Sequence, residues 1–315
     1  MKAIELREKI NAQVIAALES GDILPWKRPW RIGKNSGAAK NVVSKNAYKG
    51  INTLILDLAS MRHNFTSCWW GTWNQWRSLN GKVMRRPDHV REGEWGTTIC
   101  FFSPVKKSII KDTGEEDEDK FFVLKTFTIF NVEQVEGSHL DHLRAGHGGT
   151  DEDAGEISCP PAEDVIEASS MGMGVPIHYA GTKAYYSPSR DVIMVPPRAT
   201  FNSPAGFYST VLHELVHATE HPSRLDWSRK IKGNSYGMGE LIAELGSSYL
   251  SREIGIQGAE EHTPAHVAYL ADWLKAMKSD PKFLWTASVQ SSRAADYILS
   301  FSRTPSEETE AALAC

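Results

Sequence analysis

The 315 residues include only four cysteines, none in a C-x-x-C pair or at zinc-finger spacing. That excludes a disulfide framework and a thiolate metal site, and it suits a reducing cytoplasm, the expected compartment. No run of about twenty apolar residues occurs, so no transmembrane helix and no membrane partner are expected. The first segment, Lys2 to Leu18, alternates charges with apolar residues at helical spacing. It has no continuous apolar core, so it does not read as a signal peptide. There is no P-loop, no carboxylate cluster spaced for nucleotidyl transfer and no internal repeat, which leaves nucleotide-driven work and polymerisation without machinery in this chain.

Each half of the chain is short of one sign of charge. Residues 1–111 carry 8 Asp and Glu against 19 Lys and Arg, a net of +11, whereas residues 112–315 carry 31 against 16, a net of −15. The overall −4 hides this division. Tryptophan is just as uneven, with Trp26, Trp30, Trp69, Trp70, Trp73, Trp76 and Trp95 in the basic part and only Trp227, Trp273 and Trp285 afterwards. Basic charge mixed with aromatics suits single-stranded nucleic acid, because cations neutralise phosphates and indole faces stack on unpaired bases.

The candidate DNA contacts fall in three places. Pro25–Trp30 is an extended segment with Trp26, Lys27, Arg28 and Trp30; the polar loop from Lys34 to Lys49 offers Lys45, Tyr48 and Lys49, with Asn52 at the start of the next helix; Arg85 and Arg86 lie in a basic strand. Duplex DNA is expected to bind less strongly. Trp69, Trp73 and Trp76, at helical spacing, read as packing residues. Thr97–Phe102 and Phe121–Asn131 read as strands, with the acidic insert Glu115–Asp119 as a hairpin tip.

The acidic half contains His213-Glu214-Leu215-Val216-His217 inside an apolar helical segment expected over about 204–220, with Ser203-Pro204 starting it and Pro222 stopping it. Two histidines four apart lie about 40° out of register on one helix face, so both imidazoles reach one Zn²⁺. Glu214 beside them can take a proton from a water that the cation acidifies and pass it to a leaving amine. His221 would lie about 6 Å further along the helix, too far to share the ion.

A second helix opens at Gly239 and carries Glu240 and Glu244 on one face. It resembles the glutamate helix of gluzincins. That resemblance implies Glu240 as third ligand and Glu244 as an acceptor orienting a ligating histidine, or the two roles exchanged. Tyr236, His221 and Arg224 are further candidates for oxyanion or substrate contacts. Residues 184–196 read as a hairpin whose edge could hold an extended substrate by strand addition.

Taken together, Pro25-Trp26, Tyr48-Lys49-Gly50-Ile51-Asn52, Trp73-Asn74-Gln75-Trp76, Gly81-Lys82-Val83 and Phe130-Asn131-Val132-Glu133-Gln134 join the stretches His213 to Leu225 and Glu240 to Glu244. This combination resembles the ArdC-like antirestriction proteins of conjugative plasmids along nearly the whole chain. Two departures stand out, Glu220 where the family usually has glycine and Gly239 where it has glutamate.

The resemblance implies an α+β chain of two domains. The first, residues 1–137, would bind single-stranded DNA in the manner of the start of TraC-type plasmid primases. A linker, 138–160, would join it to a zincin-like metallopeptidase domain, 161–315. Zn²⁺ is the expected cofactor, with Mn²⁺ or another divalent metal as substitute. The implied role is protection of incoming plasmid DNA from host restriction during conjugation, with a restriction component as possible protein substrate. The alternatives are a DNA-binding shield whose metal site is structural or inactive, and an accessory to plasmid replication or priming.

Overall fold

A computed structural model describes residues 3–20, 35–110, 116–144, 160–227, 235–256 and 264–303. The segment with Trp26, Lys27, Arg28 and Trp30 lies outside the described residues, as does the Tyr236 side chain. The chain is α+β with two domains, as its sequence implied.

Helix α1 (Ala3–Glu19) leads to strand β1 (Lys40–Asn41), helix α2 (Ile51–His63), strand β2 (Trp69–Thr72) and the short helix α3 (Trp73–Ser78). Strands β3 (Lys82–Val83), β4 (Thr97–Ile110), β5 (Glu116–Asn131) and β6 (Val135–Glu136) follow. The main sheet runs β1-β2-β5-β4, with β1 parallel to β2 and the other pairs antiparallel. The acidic insert is mostly strand rather than hairpin tip, since Glu116 to Asp119 pair in register with Ile110 to Lys107.

Helix α3 forms because its first turn satisfies its own donors. Gln75 N–H donates to Thr72 Oγ1, and Thr72 N–H donates to Gln75 Oε1, a reciprocal cap at both ends. Residues 138–143, read from sequence as linker, form a 3₁₀ segment. Its Leu140 and Leu143 are buried with Val42, Trp76, Val132 and Val135. Arg144 holds the segment down by donating to the carbonyls of Val132 and Val135.

In the second half, α4 (Pro160–Met173) precedes strands β7 (Ile177–Tyr179), β8 (Tyr185–Ser187) and β9 (Val192–Val195). Helices α5 (Pro204–Ala218), α6 (Ser235–Ile254), α7 (Pro264–Ser279) and α8 (Phe283–Ser300) complete it. The small sheet runs β7-β9-β8, with β7 parallel to β9 and β8 antiparallel. The expected hairpin is therefore β8–β9, with β8 at an edge.

The two halves share a core. Leu6, Ile10, Val14 and Leu18 of α1 and Leu54, Ile55 and Leu58 of α2 are buried in one cluster with Leu212, Leu241, Trp273 and Ile298 of the second half. Helix α2 is apolar on more than one side, because Leu56 and Ala59 enter a separate cluster beneath the main sheet with Trp70, Ile99 and Ile129. Polar contacts cross the same boundary. Asp57 and Arg252 form a buried ion pair, Asn11 donates to Met277 O at 2.6 Å, and Gly50 N–H donates to Ser292 Oγ at 2.7 Å.

Candidate metal centre

Helix α5 has the predicted start, with Pro204 in its first turn and Ser203 Oγ accepting from Gly206 N–H at 3.0 Å. Its apolar side, including Tyr208, Val211, Leu212, Leu215 and Val216, is fully buried. That burial fixes the rotation of the helix and turns His213 and His217 toward α6. Among the described residues, His213, His217 and Glu240 form the one trio whose possible ligand atoms all lie within 4.8 Å of one another.

The two Nε2 atoms are 3.1 Å apart, and Glu240 places one oxygen 3.6 Å from His213 Nε2 and the other 3.5 Å from His217 Nε2. A tetrahedral ion with ligands about 2.0–2.1 Å away separates those ligands by about 3.4 Å, so this triangle fits a single small divalent cation. Glu244, one turn further along α6, lies 3.6 Å from His213 Nδ1 on the opposite edge of the ring. An acceptor there favours the tautomer whose Nε2 lone pair faces Glu240 and His217.

The electrostatics agree. Burial alone would depress His213, but the carboxylates of Glu240 and Glu244 outweigh it and push its pKa up to about 10. Burial would raise Glu240, yet the two imidazoles hold it down at about 2. A field this favourable to positive charge between the side chains serves a cation as well as a proton. Glu214 is 7 % exposed and makes no hydrogen bond among the described residues.

The spacing of α5 and α6 depends on Gly246. A Cβ at this position would come within 2.9 Å of Val216 Cγ2, so the helices approach too closely for any side chain. Gly246→Val is therefore expected to wedge Glu240 away from the histidines and weaken divalent-metal binding by at least about tenfold. Competition against a chromogenic chelator would measure it, and unchanged affinity would mean the helix spacing does not set the site.

Arg224 and His221 do not face the centre as free contacts. Arg224 donates to both carboxylate oxygens of Asp191 at 2.9 and 2.7 Å, and to Ala218 O and Met173 O. It clamps the chain leaving α5 to the β8–β9 turn, where Asp191 also accepts from Tyr186 OH at 2.8 Å. His221 Nδ1 is paired with Ser223 Oγ.

Several predicted DNA contacts are turned inward. Asn52 is 6 % exposed and exchanges hydrogen bonds with the Cys100 backbone, at 2.8 Å to its carbonyl and 3.0 Å from its N–H. This is a structural bond and leaves Asn52 no surface for a nucleotide. Tyr48 is buried, with its hydroxyl accepting from Asn41 at 3.0 Å, and Lys49 pairs with Asp296 at 2.8 Å. Arg85 and Arg86 are both exposed, and Arg86 donates to the carbonyl of Val90.

Trp70 and Trp76 are buried as packing residues, but Trp73 is 50 % exposed with the Arg77 guanidinium 5.3 Å above its ring. Lys45 Nζ lies 4.6 Å over the half-buried Trp69 ring. The reading of Trp73 as packing failed because the cap at Thr72 sets the rotation of α3: it turns Trp76 inward and leaves Trp73 outside. No signal in the local sequence marks the Asp57–Arg252 pair, which joins residues 195 positions apart.

Residues 4–130 match the N-terminal domain of the anti-restriction factor ArdC, and residues 162–290 match a zincin-like metallopeptidase domain. Against the metal-free crystal structure of the antirestriction protein ArdC from plasmid R388, the chain is 31 % identical with a TM-score of 0.74, covering 94 % of itself and 97 % of that protein. Against its Mn(II)-bound structure the values are 29 %, 0.71, 95 % and 99 %. The chain is also 29 % identical to protein y4eC of Sinorhizobium fredii over 93 % of itself and 91 % of that protein. Two DNA primases TraC of Escherichia coli are 30 % and 29 % identical over 96 % of the chain, which spans only 20 % and 28 % of their lengths. With both domains in the same order and the likeness running through almost the whole R388 protein, the chain belongs to the ArdC antirestriction family.

Proposed function

We propose that this chain protects incoming DNA by binding it as single strands and by hydrolysing a protein, a host restriction component, at a divalent-metal centre. The observation that carries the hydrolytic part is the triangle of His213, His217 and Glu240 with Glu214 beside it, largely buried and without a hydrogen bond to the described residues. In this reading the trio holds the ion and Glu244 orients His213. A zincin-like domain and the Mn(II)-bound relative support a divalent ion, with Zn²⁺ our assignment for the native one.

When bound, the cation would polarise the scissile carbonyl and acidify the attacking water. Glu214 takes that water's proton as its oxygen bonds to the carbonyl carbon, and returns it to the amine nitrogen as the C–N bond breaks. The edge strand β8, which packs beside α5, would align an extended substrate main chain.

On the DNA side, the exposed Trp73 with Arg77, together with Lys45 on Trp69, forms the aromatic and basic face best suited to unpaired bases. Trp73→Ala is expected to weaken single-strand binding by about five- to a hundredfold, the worth of one stacked base. Fluorescence anisotropy with a labelled oligonucleotide would read it, and an unaltered affinity would move the interface elsewhere.

The test of the whole reading is transfer of a restriction-sensitive plasmid into a restricting host that makes this chain. Protection is expected from the wild type and not from His213→Ala. Protection that survives His213→Ala would leave DNA occupancy as the mechanism, and no protection by the wild type would reject the antirestriction role for this chain.

A further inference from the structure

Beyond the trio, Glu214 and Glu244, one more acidic group, Glu220, lies within electrostatic reach of the centre. After Ala218 the helix tightens, with Glu220 N–H donating to His217 O at 3.0 Å and His221 N–H to Ala218 O. In a three-residue turn, positions i and i+3 eclipse, which puts position 220 on the same face of the chain as His213 and His217. Its half-buried carboxylate is within electrostatic reach of both His217 and Glu240. It is not a fourth ligand of the trio, since its oxygens fall outside the 4.8 Å group.

Glu220 makes no hydrogen bond or ion pair with the described residues. The cation nearest in sequence, Arg224, is committed to Asp191 and two carbonyls. Glu214, Glu220, Glu240 and Glu244 with two neutral imidazoles and a divalent ion leave the centre a formal charge of −2. A carboxylate that is partly desolvated, repelled by Glu240 and without a donor is stabilised by a positive group brought in from outside.

We infer that Glu220 is a specificity residue of the metal centre, selecting protein substrates that place a lysine or arginine side chain next to the scissile bond. This rests on the hydrolytic reading above for its site, but it concerns recognition and is separable from turnover. The same negative field disfavours phosphate, so the centre would take protein and leave DNA to the basic half.

The test uses the full chain loaded with Mn(II) and two labelled five-residue alanine peptides, one with a central lysine and one with a central glutamate. The lysine peptide is expected to bind about tenfold more tightly, with the gap shrinking as salt is raised. Glu220→Gln is expected to remove most of the preference and Glu220→Asp to keep it. Equal binding of the two peptides, no measurable binding of either, or a preference untouched in Glu220→Gln would overturn the inference.

Cleavage is read separately, by mapping the peptides released from denatured casein. Cuts clustered beside lysine and arginine, and dispersed in Glu220→Gln, support the inference, and cuts with no such bias overturn it. An intact binding preference with no cleavage at all would overturn the hydrolytic reading alone.

Discussion

Glu214→Gln is expected to lower hydrolysis of denatured casein by about a hundred- to ten-thousandfold, the usual worth of a positioned general base. Glutamine matches the shape of glutamate but does not take a proton at neutral pH. Glu214 is buried on α5 without a donor, so the change disturbs no hydrogen bond among the described residues. The trio of His213, His217 and Glu240 is untouched, so bound metal measured by plasma mass spectrometry should stay at about one ion per chain for a single site. Single-strand affinity should also be unchanged, because the aromatic face lies on α3 and β2. Hydrolysis persisting at the wild-type rate would remove Glu214 from the chemistry. Lost hydrolysis with full protection in the plasmid-transfer assay would favour a shield that works by occupying DNA.

The second large effect is on folding. Arg252→Ala is expected to destabilise the chain by about 3–5 kcal/mol, because it removes one partner of a buried ion pair. Asp57 and Arg252 side chains are 2 % and 3 % exposed, and they sit on α2 and α6, one from each half. Urea unfolding followed by tryptophan fluorescence measures the midpoint. A shared core predicts that the transition of the whole chain moves. Two transitions, with only one displaced, would mean that the halves fold independently.

The same core bears on dissection of the protein. A fragment ending at residue 137 would expose Leu6, Ile10, Val14, Leu54 and Ile55, which pack against the helices of the second half. It would also lack Leu140 and Leu143, buried beneath the main sheet. DNA binding is therefore best measured on full-length variants.

Much of the candidate metal centre was legible because its geometry is local. The spacing of His213 and His217 needs only a helix, and the apolar pattern with Ser203-Pro204 supplies one. Glu240 and Glu244 could be named as a pair, but their division of labour was open in the sequence. It depends on which edge of the His213 ring each carboxylate reaches, and that follows from the approach of α6 to α5 at Gly246. The proposed DNA face was less legible. Tyr48 and Asn52 are polar residues in a basic neighbourhood, yet both satisfy hydrogen bonds inside the fold, while Trp73 is the ring left outside.

By itself, the sequence determined the helix with its two histidines and acid and the division into a basic and an acidic half, because these are properties of composition and short-range periodicity, while its motifs together carried the resemblance that implied the family and the α+β class. Tertiary structure alone decided that α1 and α2 belong to the core of the second half, that Arg224 is a clamp, and that Glu220 has no hydrogen bond or ion pair with the described residues. Those depend on contacts between residues far apart in the chain, or on the exact turn that ends a helix. No periodicity encodes such contacts, because each is chosen by the packing of every other element around it.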